Sequence, residues 1–319
     1  MNKISWGIIG CGDVAEVKSG PAFNLVPDSE LVAVMRRDGK KAEDYAVRHG
    51  VKKWYSDAGD LINDNEVNAI YIATPPAYHE AYALQAFNAG KPVYVEKPMA
   101  LDSVEAQRMY EEAEKSSCKI SVAHYRRAQP RFIKILNLIR EKAIGEVHSA
   151  DLQFRQTYQP GTENTWRTNP TISGGGLFHD LAPHQLDLML FFFGMPMEIN
   201  GKSLNRANLY EADDFANAGI LFPNNIAFTG VWDFNARRED ETDICEIRGT
   251  LGTIRFAVFG DFCEIIVNGE IKKLDFDQLP HVQQPMIEQV VKYFLNKTPN
   301  PCSAQDGVEV MRMIDIISK

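Results

Sequence analysis

The chain has 319 residues, 45% apolar and 24% charged, a globular balance with apolar side chain enough for one large or two ordinary cores, which excludes a disordered or collagen-like protein. A formal net charge of −9 argues against a protein whose main task is gripping nucleic-acid backbones, and five cysteines without C-x-x-C spacing argue against a disulfide framework or zinc knuckle and for a reducing cytoplasm. No secretory leader is visible, and the most apolar stretch, Leu186 to Met197, holds Asp187, Gly194 and Pro196 and is too short to cross a bilayer, so no membrane partner is expected and it reads as buried helix.

Up to residue 122, short β-branched runs alternate with helical periods, the pattern of a parallel sheet covered by helices. Strands are predicted at Ser5–Ile9, Leu31–Met35, Ala69–Ala73, Pro92–Val95 and Lys119–Ala123, with helices at Lys40–Arg48, Ala77–Ala89 and Ser103–Glu114, the last capped by Asp102 or Ser103. This is an α/β, doubly wound pattern. From about Glu146 polar and apolar residues alternate over Val147–Gln156, Glu198–Arg206, Phe215–Phe222, Ile226–Asn235, Asp243–Gly249, Thr253–Val258 and Glu264–Val267, which predicts an antiparallel sheet. A helix is expected over Pro183–Phe193, and two more, Val282–Leu295 and Ala304–Ile317, end the chain.

Gly10-Cys11-Gly12-Asp13-Val14-Ala15 follows the first strand as a G-x-G-x-x-A turn entering a helix. Glycine at the first position permits the tight turn, and glycine at the second lets main chain approach a pyrophosphate. The helix start, with Asp13 and Val14, offers N–H groups and a positive dipole end. At the tip of the second strand Arg36 and Arg37 stand where an NAD site carries a carboxylate, which favours NADP over NAD. Asp38 follows directly and would reverse that preference if it took the ribose; both arginines also read as solvated surface charge.

Glu96-Lys97-Pro98 follows Pro92–Val95, at a strand's carboxyl end, where open α/β sheets gather ligands. Lys97 is thereby expected near the nicotinamide end of a cofactor, with an ordinary ion pair as the other reading. Between Gly174 and Asp187, Asp180 and His184 stand four apart and share a face if the segment is helical, although Pro183 suggests that the regular helix starts only there. A carboxylate beside an imidazole fixes its tautomer and raises its basicity, as a general acid/base for an alcohol requires. A capping carboxylate beside a half-buried histidine is the plainer alternative.

Taken together, GIIGCGDVA, AIYIATPPAYH, VYVEKPMA, HYRRAQPRF, EKAIGEV and GGGLFHDLAPHQLD resemble the glucose-fructose oxidoreductase / inositol dehydrogenase / MocA (Gfo/Idh/MocA) family, from residue 4 to the last helices. The resemblance implies a Rossmann domain and an α/β domain whose large, mostly antiparallel, open-faced sheet builds homodimers or homotetramers; the change of pattern alone sets their bounds, residues 1–122 and 123–319. The last helices are then free to pack on the first domain. It also implies NAD(P)-dependent hydride transfer at a hydroxyl carbon of a sugar, cyclitol or related alcohol, in a cleft between domains and without metal. By position it assigns Lys97, with Glu96, from E-K-P, and Asp180 and His184 from D-x-G-x-H, with Ala182 where the family has glycine. Thr74, Pro75 and His79 fall in a cofactor loop and Tyr125 and Arg126 beside the substrate. Trp166 and Arg167 fall in a loop facing the sugar, or equally are a core aromatic and a surface charge. In the implied chemistry His184 takes the hydroxyl proton, Lys97 stabilises the same oxygen and Asp180 orients His184. Two other readings use the same fold: a redox-assisted glycosidase with tightly bound NAD, and a nucleotide-responsive regulatory protein that has lost the chemistry.

Overall fold

A computed structural model describes residues 2–319, which form two compact units: the chain up to Gln129 with Gln278–Val308, and Pro130–Asp277 with Glu309–Lys319. In the first unit, β1 (Ile4–Ile9), β2 (Ser29–Met35), β3 (Lys53–Tyr55), β4 (Ala69–Ile72), β5 (Val93–Val95) and β6 (Ile120–Val122) make a sheet in the order β3-β2-β1-β4-β5-β6. Every neighbouring pair is parallel, so all carboxyl ends share one edge. Chain progression reverses between β1 and β4, the position at which a doubly wound sheet opens a crevice for ligands.

Helices cover both faces of this sheet, so the central strands read as continuous apolar runs rather than as alternation. Ile4, Trp6, Ile8 and Ile9 of β1 have no solvent exposure. Trp6 packs on Phe23 with ring centroids 4.9 Å apart, and its indole N–H donates to Ser29 Oγ at 3.1 Å, so a large apolar ring is buried without an orphaned donor. The helix Ser103–Lys115 starts at Asp102, whose carboxylate accepts from Glu105 N at 2.8 Å. Strand β3 lies outside the sequence expectation because its three residues are partly or fully exposed and too few to show a period.

The second unit holds β7 (Val147–Thr157), β8 (Glu198–Leu204), β9 (Phe215–Phe222), β10 (Ile226–Ala236), β11 (Thr242–Gly249), β12 (Gly252–Phe256), β13 (Cys263–Val267) and β14 (Glu270–Lys273), ordered β14-β13-β12-β11-β7-β10-β9-β8. Neighbours are antiparallel except β7 and β10, which run parallel. Alternation reports which face a residue takes and not strand direction. The helix Leu177–Phe193 separates β7 from β8, and a crossover of this kind permits the parallel pair. β14 was not expected either: its four residues are all exposed.

One face of this sheet carries Ala150, Leu152 and Phe154 of β7 and Phe228, Trp232 and Phe234 of β10, all buried. The helix Leu177–Phe193 covers that face, with Phe178 5.1 Å from Trp232 and Phe193 5.5 Å from Phe222. It begins six residues ahead of the expected Pro183, which sits inside it. Pro183 lacks the N–H of one ladder bond, but burial of Phe178, His179 and Ala182 in the first turns outweighs that loss. The stretch from Leu186 is thus the buried end of this helix, and no helix among the described residues is long and apolar enough to cross a membrane.

Candidate functional site

The carboxyl ends of β1, β2, β4 and β5 bring Gly10, Arg36, Thr74 and Lys97 to one edge of the first sheet. Gly10 has φ +94°, and a Cβ there would stand 2.9 Å from the carbonyl of Ala73, so this turn admits only glycine. At Gly12 a Cβ would meet nothing within 4 Å; packing does not demand glycine, and its absence of side chain leaves main chain open to approach. The helix Asp13–Val17 follows. Ala15 N and Glu16 N donate back to Gly12 O at 2.9 and 3.1 Å, while no acceptor among the described residues takes the N–H groups of Asp13 and Val14.

Arg36 N donates to Tyr55 O at 3.1 Å, which fixes this residue at the tip of β2, and its Nη1 donates to Cys11 O at 3.4 Å beside the glycine turn. The Arg37 guanidinium lies over the Tyr78 ring, 4.9 Å from its centroid. Asp38 caps the helix Gly39–His49, its carboxylate accepting from Lys41 N at 3.3 Å. Across the crevice Thr74 Oγ1 is buried without a hydrogen-bond partner. An open glycine, two N–H groups without an acceptor among the described residues, an arginine on the glycine turn and an unsatisfied hydroxyl fit the phosphates and ribose of a dinucleotide.

His79 is fully buried, with Nε2 2.7 Å from Thr74 O and Nδ1 3.0 Å from Pro98 O, so its ring ties the loop after β4 to the loop after β5. Burial pushes its pKa down to about 4; the neutral ring carries one N–H and donates to one of these carbonyls. Pro75 starts the loop that leads to it. Glu96 is 5% exposed and turns inward: Oε1 accepts from Tyr71 Oη at 2.5 Å and Gln283 Nε2 at 2.6 Å, and Oε2 from Lys97 N at 3.2 Å. The Glu96 carboxylate therefore anchors the lysine's main chain from behind. Tyr125 and Arg126 lie in the short helix Tyr125–Ala128, both buried, with the guanidinium 5.6 Å from the tyrosine ring.

In the second unit Asp180 and His184 share one face of the helix Leu177–Phe193, one turn apart. Asp180 Oδ2 accepts from Arg167 Nε at 3.1 Å, and that guanidinium lies 4.7 Å from the Trp166 ring centroid, so three of the sequence candidates are in contact. His184 is 4% exposed and meets the edge of Phe259 at 5.6 Å. His179, one turn earlier, packs its ring against Gly175, where a Cβ would lie 2.2 Å from it, and burial lowers its pKa to about 4. A buried imidazole on the same helical face as a cation-paired carboxylate is suited to moving a proton to or from a hydroxyl.

Sequence reasoning missed Gln283, Phe259 and Asp243. Gln283 lies 187 residues from Glu96, and no local pattern announces such a pair. Asp243 opens a predicted strand, and its carboxylate accepts from Val258, Phe259 and Gly260 main-chain N–H groups, partners visible only once β11 and β12 are paired. Among the described residues no group of three or more His, Cys, Asp or Glu is arranged to hold a metal ion.

Residues 4–124 match the family described as "Oxidoreductase family, NAD-binding Rossmann fold", and residues 132–255 match the "GFO/IDH/MocA C-terminal domain". The chain is 46% identical over 319 residues to "Oxidoreductase P35" of Formosa agariphila, covering 99% of this chain and 98% of that one. It is 26% identical over 222 residues to "scyllo-inositol 2-dehydrogenase (NADP(+)) IolW" of Bacillus subtilis, covering 67% of this chain and 59% of that one. Among solved structures the aldose-aldose oxidoreductase of Caulobacter crescentus, complexed with glycerol, superposes with a TM-score of 0.88 at 22% identity, over 99% of this chain and 96% of that one.

Proposed function

This chain belongs to the Gfo/Idh/MocA oxidoreductase family, and on that premise we propose that it transfers a hydride between NADP(H) and a hydroxyl-bearing carbon of a sugar or cyclitol. The observation that carries the reading is the gathering of Gly10, Gly12, Arg36, Thr74 and Lys97 at the carboxyl ends of four parallel strands. The nicotinamide, when bound, supplies the two-electron acceptor or donor. The relatives whose names print a cyclitol or an aldose support the substrate class.

Within this proposal the N–H groups of Asp13 and Val14 hold the pyrophosphate, and Arg36 neutralises a 2′-phosphate, with Arg37 second in reach of it. The engagement of Asp38 with its own helix supports NADP over NAD, because that carboxylate is committed to Lys41 N. Lys97 stabilises charge developing on the substrate oxygen. His184 accepts the hydroxyl proton in oxidation and returns it in reduction, and Asp180, itself held by Arg167, keeps the imidazole oriented. Acid–base assistance of this kind is worth roughly 10²–10⁴-fold in rate. The open face of the second sheet, where Asp151, Glu246, Arg248, Arg255 and Glu264 form a ladder of ion pairs, is the surface proposed to build a homodimer or homotetramer.

The test is a panel of sugars, cyclitols and their keto forms assayed against both nicotinamide cofactors by the absorbance of the reduced ring, with cofactor binding followed by fluorescence. Turnover should appear with NADP(H) and fall at least a hundredfold in Lys97→Met and His184→Ala while cofactor binding persists. Turnover in the variants close to that of the parent would overturn the assignment.

A further inference from the structure

Within the second unit an open cleft of about 580 Å3 is lined in part by Phe259. Phe154 and Phe259, 5.1 Å apart, form its apolar wall, and Gln156 and Thr157 at the end of β7, with Gln159 just beyond it, supply amides and a hydroxyl. Phe259 is also the ring that meets His184, so this wall continues from the proposed acid/base outward. The acids that reach the cavity are already engaged. Asp243 accepts from Val258 N at 3.0 Å, Phe259 N at 2.6 Å and Gly260 N at 3.0 Å, and Glu241 accepts from Thr157 N at 3.1 Å. Aromatic carbon faces beside amides, hydroxyls and the Arg155 guanidinium, with the carboxylates tied to main chain, suit a ring that has apolar C–H faces and hydroxyl edges.

The aromatic wall is fixed rather than left to the loop between β12 and β13. Three consecutive N–H groups of that loop converge on the one Asp243 carboxylate, while Arg131 donates to the carbonyls of Val258 and Gly260. Asp243 pairs in register with Phe154, so the carboxylate holding Phe259 and the ring packed against it rise from one face of the sheet. Hydrogen bonds to a carboxylate are individually stronger than neutral ones, and three of them hold the loop in one arrangement.

We propose that this cavity is a subsite for a second sugar ring: the substrate is a disaccharide or larger glycoside, with the non-reacting ring stacked on Phe259, and Asp243 is the positioning residue that sets this wall against His184. The inference rests on the hydride-transfer reading for the identity of the reacting ring, but the subsite can be tested apart from it.

Two measurements separate the ideas. Cellobiose, maltose and lactose, each beside its component hexoses, are assayed for turnover with NADP+, and their binding to the whole protein is measured by calorimetry. At least one disaccharide should exceed its hexoses tenfold or more in kcat/KM and in affinity. Phe259→Ala should shrink that disaccharide-to-hexose ratio by about tenfold, the scale of one lost aromatic contact. Asp243→Ala should shrink it likewise, chiefly through KM, with partial recovery in Asp243→Asn, which keeps one acceptor oxygen; a wholesale folding defect would lower both arms of the ratio together. If every hexose equals or exceeds its disaccharide in affinity, or if the ratio is unmoved by Phe259→Ala, the subsite is overturned. If a disaccharide binds tenfold tighter in a Phe259-dependent way and no compound turns over, the subsite stands and the hydride-transfer reading falls.

Discussion

Arg167 donates from Nε to Asp180 Oδ2 at 3.1 Å, one helical turn ahead of His184. The arginine side chain is 36% exposed, and an ion pair that open to solvent contributes about 0–1 kcal/mol to stability. In the proposed mechanism its value is therefore geometric: it fixes the carboxylate one helical turn from the acid/base. Arg167→Ala should leave the melting temperature within a few degrees of the parent while lowering kcat/KM about tenfold, and Asp180→Asn should lower it further. A double-mutant cycle on kcat/KM checks the coupling, and strictly additive losses would sink the proposed relay.

In the proposed site Arg36, whose guanidinium reaches the glycine turn, is expected to govern cofactor preference more than Arg37, which lies over Tyr78. A hydrogen bond to a charged group is worth about 1.5–3 kcal/mol, so loss of the cation facing a 2′-phosphate should raise the NADP KM roughly 10–100-fold. Arg36→Ala is expected to do so with little change in the NAD KM, and Arg37→Ala to have the smaller effect. Steady-state kinetics with both cofactors decide it; an unchanged NADP-to-NAD ratio in both variants would return the two arginines to surface charge.

What could be read from the sequence divides along a physical line. The places of Gly10, Gly12, Arg36, Lys97, Asp180 and His184 in the fold were legible because each is tied to a local pattern: a turn after a strand, a strand tip, or an i, i+4 spacing. The start of the helix at Leu177 was misjudged because Pro183 weakens a helix locally, whereas the burial that outweighs it comes from Trp232 and neighbouring strands. His79, Glu96 and Asp243 show the third case. Their side chains bind main chain or residues distant in sequence, partners that no local pattern shows, as with Glu96 toward Tyr71 and Gln283.

Next to His184, Gln185 has no exposure, and its Oε1 accepts from Trp232 Nε1 at 2.7 Å. Trp232→Phe strands that oxygen in the core and should destabilise the protein by about 1–3 kcal/mol, with the smaller ring adding a cavity cost. Gln185 Nε2 is already buried without a partner, so the double variant Trp232→Phe/Gln185→Leu removes both polar groups and should recover part of the loss. Urea unfolding of the single and double variants measures this. A double variant less stable than the sum of the two singles would mean that the hydrogen bond does not explain why both residues are here.

Acid should destabilise the protein in a window set by histidines rather than carboxylates. His79 and His179 are each pushed down to about 4 by burial, against about 6.5 in an unfolded chain. Between those values the unfolded state binds protons that the folded state refuses, so stability is fully present above pH 6.5 and falls as pH drops toward 4. Each histidine contributes about 3 kcal/mol over that range. Glu16, held near 2 chiefly by hydrogen bonds from Arg48, acts on a lower window, below the ordinary carboxylate range. Melting temperatures taken at half-unit steps from pH 7.5 to 4.5 should decline steadily below 6.5, and more shallowly in His79→Asn, which cannot take up the proton. A melting temperature that is flat or rises across that interval would show that neither ring is held neutral, and the link that His79 makes between the loops of Thr74 and Pro98 would then be that of a charged imidazolium donating to both carbonyls.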